Sequence, residues 1–352
     1  MATVPQVSII SGEKKMNYKI NKDVDYLRFQ GRICFREDKA VLGYTNSSMT
    51  VRLRGKKLSA KFNTSTTEEI NAPGLRVYID SKKDKDIVLR NSDEEVIDIA
   101  VFPEEGLHEI KLVKITEAGM SWAAVSELTA DGELLPVEED KRGKILFIGD
   151  SITCGYGVLG APDAEYTVRD EDGELSYSAF VARKLDLNAE WVSVSGYGMY
   201  VEYTGDPEGI LPRVFNYQNI FYDKEERADL SRFVPDNIIV NLGTNDSGPM
   251  TDNVLIQKGY LARYESFLYS LRIAYPDANI ICVLGTLAPG YFKYVQQVLD
   301  KVKSEGFTKI YGLELPEHDV EHDGMASGHP SRITHEKDAD RIVIFMKENG
   351  LV

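Results

Sequence analysis

Cysteine is scarce in this 352-residue chain: Cys34, Cys154 and Cys282 are scattered, odd in number and show no CxxC spacing. That excludes a disulfide framework and a cysteine-built zinc site. Positive charge is in deficit, with 41 Lys and Arg against 56 Asp and Glu and a net charge of −15. Nucleic acids and anionic membranes call for a basic face, so neither is an expected partner. Long apolar runs are missing too, none approaching the roughly eighteen residues of a membrane span. The first residues, Met1-Ala-Thr-Val-Pro-Gln6, lack the basic and then apolar order of a signal peptide. The expectation is a cytoplasmic protein, provided that no leader precedes Met1. Repeats and low-complexity tracts are absent, and histidine is rare enough, five in all, to be weighed residue by residue.

What is present fits a soluble globular protein, with 43% hydrophobic and 10% aromatic residues. The length suits two domains better than one core. Residues 1–138 read as β-rich. Met49–Gly55, Leu58–Phe62, Leu75–Asp80, Val96–Phe102 and His108–Ile115 alternate or cluster apolar residues at short spacing. Gly, Asn, Asp or Pro stand between them, which suggests a β-sandwich, and no helical period appears before residue 140. Residues 139–143 lie in a charged, Pro- and Gly-bearing stretch that reads as a linker. From 144 to 352 the period changes. Buried-strand patterns at Ile145–Ile148, Glu190–Ser195, Asn237–Asn241 and Ala278–Leu284 alternate with helical stripes, including Leu255, Leu261, Tyr264, Phe267, Leu268 and Leu271. This predicts a three-layer α/β domain around a mostly parallel sheet.

The strand Ile145–Ile148 stops at Gly149, and Asp150-Ser151 follows at once. A serine at the carboxyl edge of a parallel sheet has an exposed hydroxyl and a nearby backbone N–H, which a nucleophile and its oxyanion both need. Gly-Asp-Ser alone is also an ordinary strand-ending turn. Two further strand ends, Ser195-Gly196 and Gly243-Thr-Asn245-Asp246, converge on the same edge, and Gly328-His329 stands just before the last helix. Gly196 by itself reads as a tight turn, Asn245-Asp246 as a helix cap and His329 as a loop histidine. Together they are the parts of acyl transfer.

In order and spacing, Gly149-Asp-Ser-Ile152, Ser195-Gly196, Gly243-Thr-Asn-Asp246 and His329 resemble the blocks of the SGNH (GDSL-like) hydrolase superfamily. The stretches Gly106–Glu117, Phe147–Gly157 and His329–His335 resemble more narrowly the acetylxylan esterases of the second carbohydrate esterase family. The resemblance implies an N-terminal all-β jelly-roll sandwich and a C-terminal SGNH domain. It implies Ser151 as nucleophile, His329 as base, and an oxyanion hole from the N–H groups of Ser151 and Gly196 with the Asn245 amide. Neither metal nor organic cofactor is implied. The substrate implied is an acetylated plant cell-wall oligosaccharide.

The chain departs from the family where an Asp commonly stands two or three residues before the histidine. Ser327 and Ala326 occupy those positions. A backbone carbonyl could orient His329 in a Ser-His dyad, a displaced carboxylate such as Asp323 could do so, or the site could be impaired; the dyad is the reading taken. The aromatic that often precedes the histidine is replaced by Gly328, leaving Trp122, Trp191, Tyr156 and Tyr197 as stacking candidates, each read first as core or wall. His318 and His322 have helical metal-ligand spacing but read as part of an acidic surface loop. His335 is expected to support the start of the last helix, and nothing around Cys154 signals an activated thiolate. The alternatives to an acetyl esterase are an SGNH esterase of other acyl esters and a non-catalytic glycan-binding protein. Exposed strand edges would allow self-association, of no stated number.

Overall fold

The computed structural model describes residues 6–10, 13–20, 24–66, 69–162 and 165–352; residues 1–5, which carry most of the N-terminal reading above, lie outside them. The chain divides between Asp140 and Lys141 into two compact units.

The first unit is antiparallel throughout its described strand pairs. Its centre is built from three long strands, β1 (Ser48–Thr66), β2 (Glu95–Lys114) and β3 (Ser121–Leu135), ordered β3-β1-β2. The sequence reading broke β1 and β2 into two strands each, because glycines interrupt the alternation. The glycines instead line up across the sheet: Gly55 pairs with Gly106 on one side and Gly132 on the other. The ladder slips beside this row, between Gly55 and Lys57 and between Asp131 and Gly132. A Cβ on Gly55 would come within 2.1 Å of the Asp131 carbonyl oxygen, so only glycine lets the chains pass there. Such bulges bend a strand without ending it. The core beneath is mostly aliphatic, with Leu53, Leu58, Leu75, Ile110 and Leu128 among its members beside the rings of Tyr18 and Phe62.

The second unit carries five parallel strands. They are β4 (Lys144–Gly149), β5 (Asn188–Ser193), β6 (Asn237–Asn241), β7 (Asn279–Leu284) and β8 (Ile310–Glu314), in the order β5-β4-β6-β7-β8. Ile145 to Ile148 are fully buried, as a strand covered on both faces must be. On one face Ile145, Phe147, Trp191, Ile239 and Ile281 pack against α2 (Tyr177–Lys184) and α6 (Arg332–Glu348). The opposite face meets α4 (Val254–Ala274) and α5 (Phe292–Ser304); Tyr264 reaches Cys282 and Leu299 lies against Gly312. The three-layer expectation holds. The stripe on α4 does not hold in full: Tyr260 joins Tyr264, Phe267, Leu268 and Leu271 in the core, while Leu255 is 78% exposed and Leu261 only half-buried. All three cysteines are free and buried.

Candidate active site

Chain order around the sheet reverses at β4: the next strand, β5, lies on one side of it and β6 on the other. That reversal opens a crevice at the carboxyl edge, where the loops after β4 and β6 diverge. Ser151 enters it as the first residue of a single-turn helix, α1 (Ser151–Cys154). Asp150 caps this turn, its Oδ1 accepting the Ile152 N–H at 3.1 Å. Ser151 is only 4% exposed. Among the described residues, no protein acceptor takes the backbone N–H of Ser151 or of Gly196.

After β6, Gly243 leads into α3 (Thr244–Met250), which presents Asn245. Asn245 Nδ2 donates to the Tyr197 carbonyl at 2.9 Å and reaches Asp150 Oδ2 at 3.4 Å. The next residue, Asp246, takes the backbone N–H groups of Met199, Tyr200 and Val201 at 2.8, 2.8 and 3.0 Å. Two buried aspartates thus join the three sequence blocks: Asp150 links the serine turn to Asn245, and Asp246 ties α3 to the loop after Gly196. Read from sequence, Asp150 has no part beyond a strand-ending turn and Asp246 none beyond a cap. Burial pushes the Asp150 carboxyl up to about 7; the Ile152 N–H pulls it back and the charge of Asp246 adds to the rise. Burial raises Asp246 as well, against three N–H donors that favour its ionised form.

His329 arrives on a two-residue hairpin. Met325–Ala326 pairs with His329–Pro330, and the turn residues Ser327 and Gly328 have φ of 47° and 72°. Positive φ at both central positions is the type I′ turn, and this accounts for the glycine where the family often has an aromatic. The hairpin brings His329 Nε2 to 2.8 Å from Ser151 Oγ, and Nδ1 to 3.3 Å from the Ser327 carbonyl oxygen. A carbonyl can only accept, so Nδ1 carries the proton and Nε2 faces the serine hydroxyl with its lone pair. Burial holds the imidazole below its usual range, opposed by the Ser327 carbonyl and aided by His318. Tyr156 packs on the ring, centroids 4.5 Å apart, and is itself stacked on Tyr166 at 3.6 Å.

Asp323 does not serve His329: its buried carboxylate pairs with Lys337. Of the stacking candidates, Trp191 is buried and Tyr156 is a wall of the histidine. His322 pairs with Asp319 at 2.8 Å, not with His318. The expectation for His335 is corrected. Its Nδ1 accepts the Tyr177 N–H at 3.1 Å, so it supports the start of α2, to which the interior side of α6 is packed. Burial, with His329 nearby, pushes this imidazole down to about 3. A depressed histidine contributes stability above its ordinary value of 6.5 that is lost as pH falls toward 3. Melting temperature should therefore drop on acidification through that window more steeply in the native protein than in His335→Gln, which keeps an acceptor and cannot be protonated. Parallel curves would show that His335 does not titrate on unfolding.

Residues 29–137 match the Carbohydrate esterase 2 N-terminal family, and residues 147–310 match the GDSL-like Lipase/Acylhydrolase family. The chain is 32% identical to the cellulase/esterase CelE of Acetivibrio thermocellus over 69% of its own length, but spans only 30% of that protein. It is 25% identical to an acetylxylan esterase / glucomannan deacetylase of Cellvibrio japonicus, over 75% of this chain and 73% of the relative. A family two carbohydrate esterase from Clostridium thermocellum, solved in complex with cellohexaose, superposes with a TM-score of 0.84. That match is 26% identical and covers 93% of this chain and 100% of the other. With its serine turn, its convergent strand ends and both halves matched, the chain belongs to the GDSL-like hydrolases and carries the N-terminal domain of the family 2 carbohydrate esterases.

Proposed function

We propose that the protein is a serine O-acetyl esterase that removes acetyl groups from xylo- or other plant cell-wall oligosaccharides. The observation that carries the chemistry is the 2.8 Å contact between Ser151 Oγ and His329 Nε2. In this reading His329 takes the Ser151 proton as Oγ attacks the acetyl carbonyl, then passes it to the departing sugar hydroxyl. The N–H groups of Ser151 and Gly196 and the Asn245 amide stabilise the oxyanion, and water completes the cycle with His329 again as base. The carbohydrate substrate is supported by the relatives named for acetylxylan and glucomannan. Acetate release from acetylated xylo-oligosaccharides and from a small activated acetyl ester tests it. Turnover of the small ester without any release from oligosaccharides would leave an esterase of other acyl esters, and a folded protein inert on both would leave glycan binding alone.

The pH profile follows from two groups. His329 must be neutral to act, and burial places its protonation below its ordinary 6.5. Asp150, pushed up to about 7, protonates first as pH falls. It is faced by Asp246 and by neutral Tyr177, with no cation among the groups that shift it. Its protonation weakens the acceptor for Asn245, so kcat/KM should begin to fall near neutral pH. Asp150→Asn fixes that weakened state. A loss on the order of tenfold is expected, smaller than for removing an oxyanion donor, with the acid limb moved below 6.5, into the His329 range. If the variant keeps the native limb, Asp150 is not the group that titrates.

A further inference from the structure

Tyr197, one of the stacking candidates in the second unit, borders an open space. Its carbonyl holds the Asn245 amide, while its side chain and that of Phe221, centroids 6.2 Å apart, line a cavity of about 360 Å³. The cavity lies within the second unit, between the loop after Gly196 and the strand pair Tyr217–Asn219 and Asp223–Arg227. Its volume is at the lower end of those that hold small ligands. Two aromatic rings offer apolar faces to the C–H side of a sugar.

The polar wall suits hydroxyl groups. Glu202 Oε1 is taken by the Thr204 N–H at 3.2 Å and Asp206 Oδ1 by the Glu208 N–H at 2.9 Å. Among the described residues Glu202 Oε2 and Asp206 Oδ2 have no partner. Glu208 is paired with Arg213, and the exposed Lys224 ammonium stands at the rim. Carboxylates thus outnumber cations on the wall, which favours hydroxyl donors and disfavours an acidic sugar.

We propose that this cavity is a subsite for one neutral, unacetylated sugar unit of the substrate chain, beside the unit that carries the acetyl group. It rests on the carbohydrate-ester reading above and deepens it: Tyr197 joins the subsite to the oxyanion machinery through a single residue. Occupancy therefore helps to seat the acetyl carbonyl, and longer chains are turned over better than acetylated monosaccharides.

Calorimetric titration with unacetylated xylo- and cello-oligosaccharides, for the native protein and for Phe221→Ala and Lys224→Ala, reads the subsite directly. Turnover of acetylated oligosaccharides and of a small acetyl ester is measured alongside. For Phe221→Ala, affinity should fall on the order of tenfold, as for loss of one apolar contact in a pocket. Its loss in kcat/KM on oligosaccharides should exceed any loss on the small ester by a similar factor. Lys224→Ala, an exposed change that leaves the fold alone, should weaken binding less but in the same sense. Binding that is absent, or equal in all three proteins, overturns the subsite; acetate release from oligosaccharides by the native protein would then still stand. Equal losses on both substrates for Phe221→Ala also overturn it, as the mark of a structural role. Oligosaccharide binding that is weakened by the variants, without any acetate release, would support the subsite and defeat the esterase.

Discussion

Replacing Ser151 by alanine should lower kcat on acetyl esters by about a millionfold, and replacing His329 by alanine should cost nearly as much. The two act as one unit, so the double variant should be no worse than either alone, leaving only the catalysis that oxyanion donors and binding provide. KM should change little, because neither group contributes much to ground-state affinity. The same experiment separates a dyad from a triad. Where a carboxylate orients the base, its amide variant costs about four orders of magnitude in kcat. Here Nδ1 of His329 faces the Ser327 carbonyl at 3.3 Å, and Asp323 is bound to Lys337. Asp323→Asn should therefore keep kcat within a few-fold of native, whatever it does to stability. Loss of several orders of magnitude in that variant, measured on folded protein, would falsify the dyad and return Asp323 to the histidine.

Much of this site could be read before the fold was seen, and the reasons are local. Ile145–Ile148 needs no alternation because both its faces are covered, so its end at Gly149 marks the sheet edge unambiguously. His329 could be named from its place before the last helix, and its orienting partner only as a backbone carbonyl, since a carbonyl has no residue type to mark which residue supplies it. A Ser-Gly pair between two short extended segments is itself a hairpin signal, and such a hairpin turns the Ser327 carbonyl toward the ring. Likewise Asp150 reads as a turn residue and Asp246 as a cap, because only their local roles leave a mark in the sequence. Their long-range bonds, from Asp150 to Asn245 and from Asp246 to Met199, Tyr200 and Val201, join segments some 45–95 residues apart and leave no spacing to detect. On α4 the period and phase hold through Tyr264, Phe267, Leu268 and Leu271, and the reading fails at Leu255 and Leu261. Spacing alone does not weigh Leu255 against Tyr260, and the structure buries the tyrosine because its hydroxyl reaches the Leu242 carbonyl at 3.1 Å. Glycine misled in the first unit, where Gly55 and Gly106 mark no strand ends but, with Gly132, a bend shared by three strands.

Asn245→Ala should cost on the order of a hundredfold to a thousandfold in kcat with little change in KM, as expected when one donor to a developing oxyanion is removed. The amide is preorganised: one N–H is held by the Tyr197 carbonyl at 2.9 Å, so the planar group cannot rotate away from the serine turn, and the other, only loosely held at 3.4 Å from Asp150 Oδ2, is the one that serves the oxyanion. Fixed donors of this kind act on the charge that develops in the transition state, so the loss belongs in kcat. A carboxylate at the same position makes the sharper test. Asn245→Asp keeps the shape, but when ionised it would present negative charge both to the oxyanion and to buried Asp150 and Asp246. Its activity at neutral pH should fall below that of Asn245→Ala. Acidification would restore an O–H donor, so its activity should rise as pH falls, until protonation of His329 ends catalysis. A profile that rises toward acid in Asn245→Asp, and in no other variant, ties the amide to the oxyanion. If Asn245→Ala instead raised KM at constant kcat, the amide would bind ground-state substrate, and the oxyanion would rest on the N–H groups of Ser151 and Gly196 alone.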